Sequence, residues 1–163
     1  MRHAPRSASM PKPARILMRL LGAASAILLA GALAPRGASA QTGFVVVVNV
    51  TNPASSIGRS ELAALFTKKA QSWSDGTPAF PVDLPADDPT REAFTAAIHG
   101  KSAQSIRAYW QQQIFSGRQV PPPERDSDEQ VLAYVRTTVG AIGYVRPTAR
   151  LGPNVKVLGL VAR

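Results

Sequence analysis

The chain contains no cysteine, and beyond position 40 it contains a single histidine, His99. The first absence removes disulfides, thiol catalysis and thiolate metal sites. The second leaves imidazole dyads and histidine metal centres short of members. There is no G-x-S-x-G elbow, no Walker loop and no dinucleotide fingerprint, since Gly140 and Gly143 lack that spacing. No nucleophile is paired with a base, so the chain is expected not to be an enzyme and to need no cofactor.

Acid is also missing from the first 40 residues, and there the absence is part of a pattern. Arg2, Arg6, Lys12, Arg15 and Arg19 make a positive leader, and an uncharged, mostly apolar run follows from Leu20 to Ala34. At about 15 residues it is a signal-peptide core, shorter than the roughly 20 residues of a spanning helix, and Pro35 and Arg36 end it. Ala38-Ser39-Ala40 is a small-x-small cleavage site. Residues 1–40 are therefore expected to be a signal peptide cut after Ala40. Residues 41–163 are expected to be one periplasmic domain with no stable membrane insertion and no lipid-anchoring cysteine. Six of the 19 basic residues precede Gln41 and all 10 acidic residues follow it, so the mature chain carries +3 instead of +9. That removes the main support for a nucleic-acid partner.

Phe44 to Val50, with four consecutive valines, reads as a strand covered on both faces. Asn49-Val50-Thr51 matches a glycosylation sequon, though inside a strand. Leu62, Leu65 and Phe66 line one face of a helix over 59–66, and Ala79 to Leu84 reads as a strand weakened by Pro81. Asp88 followed by Pro89 is a helix cap with proline at the first helical position, and Gly100 ends that helix. Ser102 caps a helix to about Phe115, with Ile106, Tyr109, Trp110, Gln113 and Ile114 at helical spacing. Prolines 121 to 123 form an extended loop, and Ser127 caps a helix to about Thr138. Gly140 reads as the stop of that helix, and strands follow over 141–146 and 155–160. The order is β-α-β-α-α-α-β-β, an α/β fold with a small mixed sheet flanked by helices.

Two groups of residues bear on chemistry. Asp87, Asp88 and Glu92 suit a helix cap with a first-turn acid better than a metal or acid-base cluster. The N-terminus of the same helix is a candidate anion site, because helix N-termini present free N–H groups and positive dipole. Thr90 adds a hydroxyl and Arg91 a guanidinium. Asp88 competes for those N–H groups, and Pro89 removes one of them. Trp73 and Trp110 sit where core is expected, and Arg107, Arg118 and Arg125 where solvated charge is expected.

Several segments, in order, carry a resemblance. They are Val46-Val47-Val48-Asn49 with Pro53, Glu61 to Phe66 followed by Trp73-Ser74-Asp75-Gly76, and Pro81-Val82-Asp83 with Thr90-Arg91-Glu92-Ala93-Phe94. Tyr109-Trp110, Ile114-Phe115-Ser116-Gly117 and Gly140-Ala141-Ile142-Gly143-Tyr144-Val145 complete the set. Together they resemble the phosphate-binding-protein-like group of type 2 periplasmic binding proteins. The resemblance implies a reduced, single lobe of that fold, since two-lobed members are about twice as long as an ordinary domain of this size. The family places Ser-Gly-Thr where this chain has Asp88-Pro89-Thr90, so Thr90 alone matches.

The resemblance implies a solute-binding protein, with phosphate or a similar oxyanion held at Thr90 and Arg91 and an ABC transporter or sensor as partner. The alternative is a periplasmic interaction module that binds no ligand and docks a partner protein. A lobe without its mate then leaves an apolar face exposed.

Overall fold

The structure is a computed structural model and describes residues 43–162. The expected signal peptide lies outside these residues. Ten elements follow in order: β1 Val45–Asn49, β2 Ser56–Gly58, α1 Arg59–Phe66, β3 Phe80–Pro81, α2 Pro89–His99, α3 Ala103–Phe115, α4 Asp128–Thr137, β4 Ala141–Val145, β5 Val155–Val157 and β6 Gly159–Val161. Among the described residues no helix is long and apolar enough to cross a membrane.

The main sheet is mixed, in the order β3-β4-β1-β5. The valines of β1 bury on both faces because β1 runs antiparallel between β4 and β5, with Val45 opposite Val145 and Val47 opposite Val157. β3 lies parallel to β4. A second ribbon pairs β2 with β6 in parallel.

Helices cover both faces of this sheet. On one, Phe66 of α1 and Phe94 of α2 close around Tyr144 of β4, and the Phe94 and Tyr144 rings stack at 3.9 Å with an interplanar angle of 5°. Phe44 meets both Phe94 and Tyr144 edge-on. On the other face α4 packs so closely that a Cβ on Gly143 would lie 2.7 Å from Val131 Cγ1 and 2.9 Å from Val82 Cγ1. Gly143 is thus the groove in β4 that receives α4.

Asn49 ends β1 with its amide turned inward, donating to the carbonyls of Val135 at 2.9 Å and Arg136 at 3.1 Å. The asparagine of the sequon is consumed in joining β1 to α4. Trp73 and Trp110 are buried, as their pattern implied.

Several elements differ from expectation. β2, Ser56–Gly58, was not expected at all and forms against β6. The strand expected over 79–84 is only Phe80–Pro81 in regular pairing, because Pro81 has no N–H to give the ladder; Val82 N–H resumes it to Ile142 O at 2.9 Å. The single strand expected over 155–160 is two, split at Leu158, where the chain leaves β1 for β2. α4 ends at Thr137, so Gly140 does not terminate it. Gly140 has φ +81° and crosses against Pro78, whose carbonyl oxygen would lie 2.1 Å from any Cβ there. Its own carbonyl accepts from Phe80 N–H and from the Trp73 indole N–H. Finally, the inward stripe of α3 comprises Ala103, Ile106 and Trp110; Ile114 is exposed.

Candidate functional site

The N-terminus of α2 is built as its sequence implied. Asp88 has extended backbone, and its Oδ1 accepts the Thr90 N–H at 2.7 Å. Pro89 occupies the first helical position, where its missing N–H breaks no helical bond. Gly100, left-handed at φ 62°, closes the far end. Glu92 does not join Asp87 and Asp88 in a cluster. Its Oε2 accepts the Ala103 N–H at 2.9 Å and so helps cap the start of α3. Among the described residues no group of histidines and acids is placed to hold a metal.

Thr90 and Arg91 both turn inward, each 3% exposed. The Arg91 guanidinium is shared between two carboxylates. Nη2 lies 3.0 Å from Asp83 Oδ2, and Nη1 lies 2.6 Å from Glu124 Oε1. Nη1 also donates to the Leu84 carbonyl. Asp83 accepts in turn from the Tyr144 hydroxyl and from Leu84 N–H. The backbone ties the same place together: Asp83 N–H donates to Pro123 O at 3.0 Å, and Arg125 N–H donates to Asp83 O at 2.9 Å.

The electrostatics follow from that burial. Burial pushes the Asp83 carboxyl up, against the opposing pull of Arg91 and the Tyr144 hydroxyl. Burial, with Asp83 beside it, holds Tyr144 protonated well above the ordinary phenol range. One guanidinium therefore faces two carboxylates, and Asp88 adds a third at the helix cap. An incoming oxyanion meets surplus negative charge and a fork whose Nη atoms are already bonded.

Arg91 was legible as a charge at a helix start; its partners were not. Asp83 sits at the end of an apolar run with nothing local to mark it as an ion-pair member. Glu124 comes from the loop after the prolines, and only tertiary folding brings it to Arg91. Tyr144 was legible only as part of the strand expected over 141–146, and its hydroxyl is the polar handle that a buried tyrosine needs to satisfy. Of the other expected solvated charges, Arg107 and Arg118 are exposed. Arg125 lies over the Tyr134 ring at 5.1 Å.

A different surface stands out at the end of α3. Phe115 is 91% exposed, with Ile114 and Val120 also exposed. Ile114, Gly117, Arg118, Gln119 and Val120 line a hollow of about 340 Å³. Residues 93–123 contain Lys101, Arg107 and Arg118 and no acid. The expected stripe hid this patch, because Ile114 was counted as inward.

The fold has known relatives. It matches a phosphate ABC transporter substrate-binding protein assignment from Clostridium perfringens, solved with bound phosphate, at 17% identity and TM-score 0.57, over 72% of this chain and 44% of that one. It matches an ABC-type phosphate transport receptor from Vibrio cholerae at 18% identity and TM-score 0.55, over 72% and 46%. It matches PstS from Borrelia burgdorferi at 13% identity and TM-score 0.51, over 72% and 47%. This chain thus spans less than half the length of each, and at such identities the likeness is one of fold. No curated protein matches the chain. The family model described as a PBP superfamily domain matches residues 40–154. The chain belongs to the PBP superfamily-domain family, with an α/β fold corresponding to part of a phosphate-binding-protein fold.

Proposed function

We propose that this chain is a non-enzymatic binding-protein-like domain that docks a partner protein of a transport or sensing system. The observation that carries this reading is the closure of the α2 N-terminus. Arg91 is committed to Asp83 and Glu124, and Asp88 takes the Thr90 N–H. Docking also has a surface. Ile114 and Val120 line a hollow with Arg118, and Phe115 beside Ile114 is exposed, in a segment free of acid. The partner that fits it is a protein segment with an apolar anchor and acidic flanks. A photo-crosslinking residue at position 115, expressed in cells, tests this. The expected result is one discrete adduct, lost when Ile114→Ser and Arg118→Glu are added, and not seen from a probe at Thr137. Equal labelling from both positions overturns the reading.

The second reading is an oxyanion-binding domain working with an ABC transporter or sensor, with phosphate or a similar anion at Thr90 and Arg91. The likeness to a Clostridium perfringens protein holding phosphate favours it. Arg91 Nε, buried and without a hydrogen-bond partner among the described residues, is the guanidinium donor left for the anion, whereas Nη1 is held by Glu124 and the Thr90 N–H by Asp88. Calorimetry of residues 41–163 with millimolar phosphate decides the point. Saturable heat that is lost in Thr90→Ala plus Arg91→Ala supports this reading, and no heat removes it.

A further inference from the structure

A second group of arginines lies along α4 and the segment after β4. Arg136, in the last turn of α4, donates from Nε to Pro153 O at 3.1 Å and from Nη2 to Leu151 O at 3.0 Å. Both acceptors are neutral carbonyls. Among the described residues no carboxylate lies within ion-pair distance of Arg136. Its charge is therefore held in place without being cancelled. Arg150 is exposed and likewise has no ion-pair partner among the described residues. Arg146 is paired, with Nε 2.7 Å from Asp128 Oδ2.

These three arginines line one hollow of about 480 Å³ together with Asp128 and Glu129, over a floor that includes Leu132. Two positive charges remain among the lining residues after the Arg146–Asp128 pair is set aside; Glu129 offsets one of them from an exposed position, and the Asp88 carboxylate at the α2 cap also acts on Arg146. Arg136 is half-buried and fixed by the loop through residues 151–153, whereas Arg150 sits on the rim. A pinned cation and an exposed one beside an apolar floor suit a ligand with two anionic groups joined by a short carbon frame. Guanidinium forks bind carboxylate and phosphate oxygens bidentately. The volume falls within the range of small-molecule sites.

We propose that this hollow between α4 and the β4–β5 connection binds a small organic anion bearing two or more carboxylate or phosphate groups. Its lining does not include Thr90 or Arg91, and it stands or falls independently of the docking reading.

Calorimetry of residues 41–163 with citrate tests it, with acetate as the singly charged control and inorganic phosphate as the compact one. Citrate is expected to bind saturably and more tightly than either. Arg150→Gln, at an exposed position, is expected to weaken citrate about tenfold, the loss of one charge-assisted contact. Asp128→Asn is expected to tighten it, because Arg146 is then released to the ligand. Arg136→Gln also loosens the 151–153 loop, so it is read alongside a thermal melt. Absence of saturable citrate binding, or affinity unchanged in both Arg150→Gln and Asp128→Asn, overturns the proposal. So does equal affinity for acetate.

Discussion

Arg91 Nη2 and Asp83 Oδ2 meet at 3.0 Å, with both side chains nearly removed from water. The pair joins α2 to the segment that follows β3, and through Glu124 it reaches the loop before α4. Removing one member leaves a buried charge without its partner, at a cost of about 3–5 kcal/mol. Arg91→Met is expected to lose stability of that order in urea unfolding. Glu124→Gln, at a half-exposed carboxylate, is expected to lose about 1 kcal/mol or less. If Arg91 serves a ligand and not the fold, Arg91→Met will leave the urea midpoint unmoved.

Asp88 separates the two functional readings by a different measurement. Asp88→Ala removes the side-chain acceptor for Thr90 N–H and is expected to cost about 1 kcal/mol. It also frees that N–H and removes a negative charge from the helix end. Phosphate heat absent from the wild type and present in Asp88→Ala would place the barrier to anion binding at this carboxylate. Heat absent from both leaves Arg91's own carboxylates as the barrier.

Helices were more legible than strands in this sequence, for physical reasons. α1 was placed at 59–66, and the caps at Asp88, Ser102 and Ser127 were read from a few adjacent residues. Such signals are local, because a capping side chain and the N–H it accepts are near in sequence. β2 carried no signal: Ser56-Ile57-Gly58 is a strand only because β6 lies beside it. The split at Leu158 depends likewise on which strand each half finds. The candidate site was legible in the same uneven way. Its cap and its arginine were visible, but Asp83, Glu124 and Tyr144 come together only in three dimensions.

Gly140 and Gly143 make unequal demands. At Gly140 a methyl group would meet the Pro78 carbonyl oxygen in a left-handed backbone conformation. Neither part of that conflict yields easily, so Gly140→Ala is expected to cost on the order of 3 kcal/mol. At Gly143 the obstruction is two valine methyls without backbone strain. Gly143→Ala is expected to cost about 1–2 kcal/mol by overpacking. Urea midpoints of the two variants, compared side by side, check the ranking.

His99 sets an acid limit on stability. Burial, with help from Lys101, Arg91 and Lys69, lowers its pKa from 6.5 to about 4. Between those values the unfolded chain takes up a proton that the folded chain refuses. The contribution is therefore intact above pH 6.5 and is lost as pH falls toward 4. His99→Gln is expected to flatten the fall in urea midpoint across that window. An unchanged slope would assign the acid sensitivity to other groups.

β1 is synthesised long before either of its neighbours, β4 and β5. Val45 waits for Val145, and Val47 for Val157. Until both arrive, a five-residue valine-rich strand has bare edges on both sides. Contacts this distant in sequence make folding slow and all-or-none. A chain truncated before residue 155 therefore loses more than a short edge strand. It leaves the hydrophobic centre of the sheet open to pairing with other molecules, so β5 acts as the lock on β1.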